Sequence, residues 1–260
     1  MTQVSETIQK LDIKINIDIN VFNGIIEFIA SHTDTAPVII KGNTLKLHYI
    51  DVSRISLFEI DIPIINKSGK SGGYHINIDD IDKIGDFLSE YVRLKFGSHE
   101  EFFTLFTKNM EFPIKLEDFG DLEDVSKSYT QLKALEYPIS IEDIDPKAYF
   151  KGLEACKVYG DYIRFNCQKD SIKLNSSLGF MEPTITLKDF TYTYKEDQRS
   201  AYSLTFLIPA LRPFIERDLI KSINLSVKKE YPLRIKFILK NKMEINYFLA
   251  PYIEDEEEGF

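Results

Sequence analysis

Leu233-Arg-Ile-Lys-Phe-Ile-Leu239 and, after a short polar break, Met243-Glu-Ile-Asn-Tyr-Phe-Leu249 carry apolar side chains at alternate positions. That period puts every second side chain on one face, so the two runs read as half-buried antiparallel strands. The same pattern extends back along the chain. It is found at Lys14-Ile-Asn-Ile-Asp-Ile19, Val38-Ile-Ile40, Leu45-Lys-Leu-His-Tyr-Ile50, Ile55-Ser-Leu-Phe-Glu-Ile-Asp-Ile62, His75-Ile-Asn-Ile78, Val92-Arg-Leu-Lys-Phe96 and Phe102-Phe-Thr-Leu-Phe106. It returns at Tyr137-Pro-Ile-Ser-Ile141, Tyr162-Ile-Arg-Phe165, Ile172-Lys-Leu174, Thr184-Ile-Thr-Leu187, Tyr192-Thr-Tyr194 and Ile223-Asn-Leu-Ser-Val227.

Helical spacing interrupts the strands in four places. Residues 20–32 follow Asn20 as cap, with Val21, Phe22, Ile25, Ile26, Phe28 and Ile29 apolar; residues 79–91 follow the acidic pair Asp79-Asp80. Asp145-Pro146 opens a helix with Tyr149, Phe150, Leu153 and Cys156 on one face, and residues 209–221 form the last, again with proline at the first helical position. Strand, helix, strands, helix and strands therefore occur twice, a repeat of half the chain. Pairing helices with antiparallel sheet makes the class α+β. The domains expected are an extension at 1–10, a first domain at 11–118, a polar linker at 119–136, a second domain at 137–253 and an acidic tail at 254–260.

With 260 residues there is room for two full cores. No apolar run reaches the ~18 to 20 residues of a membrane span, and the first residues lack a secretory signal. Cys156 and Cys167 lack CxxC spacing and are expected to be reduced thiols of an intracellular protein. Catalytic signals are weak. Ser68-Gly-Lys-Ser-Gly-Gly73 ends like a phosphate loop, but the earlier glycine is missing and a strand follows, so it reads as a hairpin tip. His32, His48, His75 and His99 have no spaced partners for zinc. No enzyme activity, metal or cofactor is expected.

The formal charge of −9 argues at first sight against nucleic acid. Residues 1–135 hold 14 basic and 21 acidic groups, a balance of −7; residues 136–260 hold 18 and 20, and removing the five acids of the tail leaves residues 136–253 at +3. The negative sign thus comes from the first half and the tail.

Pro232-Leu-Arg-Ile-Lys-Phe-Ile-Leu239, followed by Ile245-Asn-Tyr-Phe-Leu-Ala-Pro-Tyr-Ile-Glu-Asp-Glu-Glu-Glu258, resembles the closing strands and tail of the sliding clamps of the proliferating cell nuclear antigen (PCNA) family. Leu45-x-Leu-x-x-Ile-Asp51-x-Ser53-Arg-Ile-Ser-Leu57 resembles that family's first-domain stretch, in which an Asp-x-Ser loop joins two strands. The order of elements agrees from about residue 11 onward. The resemblance implies a DNA-clamp fold: two topologically repeated domains, antiparallel sheets outside and two helices of each domain inside. It implies a non-enzymatic processivity factor, a head-to-tail ring of three subunits around double-stranded DNA, loaded by a clamp loader and tethering DNA polymerase and other clients. Location at DNA follows, nuclear where the source has a nucleus and cytoplasmic otherwise. The subunit edges would be 110–118 and 183–191, where Pro113 and Pro183 limit the pairing.

For DNA contact the resemblance points to cations on the helices: Lys147, Lys151 and Lys157 on the third, Arg212, Arg217 and Lys221 on the fourth, with Lys83 alone in the first half. The first helix has no Lys or Arg, a departure from the family that shifts phosphate contact to the second domain and suggests, as an alternative, a subunit of a heteromeric or checkpoint-type clamp. A further alternative is a clamp-fold peptide-binding protein that encircles no DNA. For the partner-peptide pocket the matching positions are Ile50, Arg54, Ile55, Leu57, Leu132, Ala134, Leu135, Pro232, Phe248, Ala250, Pro251 and Ile253.

Overall fold

The computed structural model describes residues 11–51, 53, 55–67, 69, 71–88, 92–96, 102–107, 110–117, 129–169, 171–176, 183–187 and 190–253. They group into two compact units. Described residues up to Leu47 and from Asp61 to 117 form the first, while His48–Ile60 and residues from 129 onward form the second. A cut at the linker alone would have left 48–60 with the first half.

The first unit takes β1 (Leu11–Ile15), α1 (Ile19–Ala30), β2 (Thr35–Lys41), the start of β3 (Thr44–Ile50), the second half of β4 (Ser56–Asn66), β5 (Gly72–Asn77), α2 (Ile78–Lys83), β6 (Arg93–Phe96), β7 (Phe102–Phe106) and β8 (Glu111–Glu117). Its strands lie antiparallel, from β4 through β1, β6, β7, β8 and β5 to β2 and β3. Glu111–Lys115 of β8 pair with β7, and only Leu116 and Glu117 pair with β5.

α1 begins earlier than Asn20. Asp18 is the cap, its Oδ1 accepting from the Asn20 N–H at 2.8 Å, and Val21, Phe22, Ile25, Ile26, Phe28 and Ile29 are buried. α2 is much shorter than the 79–91 expected. Asn77 caps it through the Asp80 N–H at 2.9 Å, the α-helix stops at Lys83, and a 3-10 turn follows at Gly85–Phe87. The glycine lowers helix propensity by about 1 kcal/mol where the helix would have to continue. Residues 89–91 lie outside the described residues.

The second unit takes β9 (Ile139–Ile144), α3 (Pro146–Lys157), β10 (Tyr162–Gln168), β11 (Ser171–Asn175), β12 (Thr184–Thr186), β13 (Thr191–Tyr194), β14 (Gln198–Ser203), α4 (Leu204–Glu216), β15 (Ile220–Val227), β16 (Leu233–Leu239) and β17 (Glu244–Leu249). One sheet runs from Ser56–Ile60 of β4 through β17, β16, β15 and β9 to β13; the other is β12, β11, β10, β14. β16 alternates buried and half-buried along its whole length, as its sequence predicts. β17 is buried at every position after Glu244, because β4 pairs with one edge and β16 with the other.

α3 is capped as expected by Asp145, whose Oδ1 accepts from the Ala148 N–H at 2.6 Å. The fourth helix is displaced from the expected 209–221. Ser203 caps it, Pro209 and Pro213 stand inside it, and it ends at Glu216 because Asp218 turns to φ 55°. Lys221 therefore lies on β15, and Arg217 is the helix C-cap.

Candidate partner pocket and helix face

The most connected group of expected site residues lies within the second unit. Leu57 on β4 and Phe248 on β17 sit opposite each other in the sheet, with Tyr129 packed on both and with Ile50 and Leu132 beside them. The Tyr129 and Phe248 rings meet edge to face at 5.9 Å between centroids. Tyr129 and Leu132 share a face because residues 129–133 form a helical turn, on which positions three apart are neighbours. Full burial of a large apolar side chain is worth roughly 1.5 to 3 kcal/mol, of which the half-buried Leu132 gains a part.

The floor of the cluster is polar. Glu59, on β4 and 9% exposed, accepts a hydrogen bond from the Tyr129 hydroxyl. His48 Nε2 lies 3.2 Å from the other Glu59 oxygen, close enough for an ion pair though not aligned for a hydrogen bond. Lys133 Nζ is 3.9 Å from Glu59 and 5.3 Å from the Tyr129 ring centroid. A carboxylate this buried requires partners, and a hydrogen bond to a charged acceptor contributes about 1.5 to 3 kcal/mol.

Other expected pocket residues surround this cluster less closely. The Ala250 N–H donates to the Ile55 carbonyl at 2.7 Å, joining the end of β17 to the start of β4. The Pro232 carbonyl accepts from the Tyr137 hydroxyl at 3.0 Å. Leu135 and Pro251 are half-buried and Ala134 is exposed, while Ile253 is 75% exposed. Arg54 lies outside the described residues.

The expected cations are mostly engaged within the chain. Lys147 lies 2.8 Å from Asp218, and Lys240 pairs with the same carboxylate. The two ammonium groups, Lys147 first, hold the Asp218 carboxyl down at about 2, and Asp218 in turn raises Lys147. Lys157 pairs with Asp161 and also reaches the Thr205 hydroxyl. Arg212 contacts Glu154 at 3.3 Å and Glu216 at 3.8 Å and lies over the Phe150 ring. Lys83 in the first unit is held by Asp79 at 2.5 Å, which raises its ammonium. Lys151 is exposed on α3 with no ion pair among the described residues. Exposed pairs of this kind contribute little to stability and are weakened by salt.

No protein-family model matches the chain. A DNA polymerase sliding clamp of Methanothrix thermoacetophila (strain DSM 6194 / JCM 14653 / NBRC 101360 / PT) is 22% identical over 253 residues, covering 94% of this chain and all of that protein. The crystal structure of the proliferating cellular nuclear antigen from Entamoeba histolytica superposes with a TM-score of 0.78 at 18% identity, covering 94% of this chain and 99% of the other. The chain has the PCNA-family sliding-clamp fold. Within that clamp fold, sequence reading missed Tyr129, Glu59, His48 and Lys133. Tyr129 and Leu132, three apart at the end of the linker, were the available signal.

Proposed function

We propose that this chain is a DNA sliding clamp: a non-enzymatic processivity factor whose copies close head to tail around duplex DNA and tether a polymerase and other clients, after loading by a clamp loader. The observation that carries the reading is the way the repeat pairs with itself. β17, the last strand of the second half, pairs with Ser56–Ile60 of β4. Their counterparts by repeat are β8, whose Glu111–Lys115 pair with β7 alone among the described residues, and β12, the edge of its sheet. Two unlike edges on one chain, each matching one side of an existing pairing, favour head-to-tail closure into a trimeric ring.

DNA contact is assigned to α3 and α4 through Lys147, Lys151, Lys157, Arg212 and Arg217, with weaker parts for Lys83 and for Lys221 on its strand. Such contacts are sequence-independent and fall steeply with salt. The apolar residues around Leu57 and Phe248 are assigned to client capture. The test is retention on nicked circular DNA after loading with clamp loader and ATP, with release on linearisation; a chain lost equally from both forms would sink the reading. Lys151→Glu is expected to shorten retention at least threefold and Lys221→Glu to change it less.

The alternative of a heteromeric ring is favoured by the first unit, where α1 has neither Lys nor Arg and Lys83 is tied to Asp79. Light scattering separates the two: a lone trimer identifies the homomer, and a monomer that trimerises only with paralogues identifies the heteromer.

A further inference from the structure

We propose that the apolar cluster of the second unit is occupied by the chain itself: the turn at 129–133 is an intramolecular plug, Tyr129 is its anchor and Glu59 its latch, and a client enters by displacing it. The plug rests on the clamp reading, which gives the cluster a client to hold. Leu57 and Phe248, which apolar anchors of a client would have to reach, are 3% and 1% exposed with Tyr129 packed on them.

The turn is attached as a bound peptide is attached. Tyr129 is buried at 5% exposure and Leu132 is half-buried, while Thr130, Gln131, Lys133 and Ala134 are exposed. At its C-terminal end the Ala134 N–H donates to the Thr130 carbonyl at 3.2 Å and the Leu135 N–H to the Leu132 carbonyl at 3.3 Å. A few anchors with a solvated rim are the pattern by which short helical segments enter grooves.

The latch also defines the client. Glu59 accepts from the Tyr129 hydroxyl, so a replacement must bring a donor to the same buried oxygen. A tyrosine with an aliphatic residue three positions on meets both demands. A phenylalanine at the first position leaves the carboxylate oxygen without its donor, and a site built to hydrogen-bond a hydroxyl discriminates against its absence. The tether gives the plug a local concentration on the order of millimolar, and a client's apparent affinity falls in proportion to the fraction of chains held closed.

The probe is a fluorescein-labelled synthetic peptide of residues 127–136, titrated by anisotropy against the full chain and its Tyr129→Ala variant. Hydrogen exchange at the Ala134 amide is followed in parallel, with the β16 and β17 amides as the control for folding. Expected are at least tenfold tighter peptide binding to Tyr129→Ala, at least tenfold faster Ala134 exchange with β16 and β17 unchanged, and at least fivefold weaker binding of a peptide carrying phenylalanine in place of the tyrosine. Equal affinity for the two proteins, or an Ala134 amide already unprotected in the unaltered chain, overturns the plug. Should Tyr129→Ala fail to fold, Tyr129→Phe keeps the ring and loses only the latch; about threefold tighter peptide binding is then expected, and no gain overturns the proposal. The DNA assay separates the two readings. A chain retained on circular DNA but with equal peptide affinities loses the plug alone, while one never retained yet showing the peptide effect loses the clamp and keeps the plug.

Discussion

At the scale of single residues, Gly152 shows how tightly α3 is fitted to β12. A β-carbon placed there would lie 2.8 Å from both Cδ1 and Cγ1 of Ile185 and 2.9 Å from its Cγ2. The glycine is therefore required by the neighbour and not by its own backbone, since an alanine in a helix interior is worth about 1 kcal/mol over glycine. Overpacking of this kind costs about 1 to 3 kcal/mol, so Gly152→Ala is expected to lose up to about 2 kcal/mol net in urea unfolding. Adding Ile185→Ala removes the atoms in conflict. The double variant should then lose less than the sum of the two single variants, and strict additivity would show that the contact is not the cause.

At the scale of elements, the start of α3 is tied to the turn between α4 and β15 by Asp218, which accepts from Lys147 and Lys240. Because the folded carboxyl is held at about 2 against an ordinary 3.8, its contribution is complete above about pH 4 and disappears as the pH falls toward 2. Asp218→Asn keeps a residue that tolerates the positive φ and removes the charge. The melting temperature of the unaltered chain should exceed the variant's at pH 5 to 7 in low salt, and the gap should close between pH 4 and 2. A gap as wide at pH 2 as at pH 5 would mean that the charge is not its source. This tie was hidden in the sequence, where residues 209–221 read as one helix: Pro209 imitates a helix start, and nothing local marks the φ of 55° at Asp218. The strands were more legible where burial alternates, as in β16, and least so in β14, whose polar Gln198-Arg-Ser-Ala-Tyr-Ser203 buries Gln198, Ser200 and Tyr202 on one face. Of the expected pocket, Leu57 and Phe248 were readable through the family resemblance, which covers both of their strands. Tyr129 was not, because its partner Glu59 is 70 residues away.

At the scale of the whole molecule, the repeat supplies a register for the proposed assembly. The isolated pair Ala201 and Tyr252 occupies the place in the second half that His75 and Glu117 occupy in the first, Ala201 and His75 each lying two residues before the N-cap of a helix. That alignment sets β8 on β17 with Met110 in the place of Ile245. The hairpins Lys41 to Thr44 and Gln168 to Ser171 align β3 with β11. The Lys46 to Asp61 contact then falls on the Lys173 to Thr186 pair, which sets Ile185 in the place of Ile60. Ile245 and Ile60 are opposite each other within the chain, so Met110 of one copy should lie opposite Ile185 of the next. Met110 is 38% exposed in the single chain, its carbonyl accepting from the Thr107 N–H at 3.0 Å. Met110→Cys with Ile185→Cys, treated with a short bismaleimide, is expected to give covalent dimers and closed trimers on denaturing gels, and each single variant none. Products that form equally well from Glu117→Cys with Ile185→Cys would show a different register, and monomer alone at concentrations where light scattering finds trimer would remove these two edges from the contact.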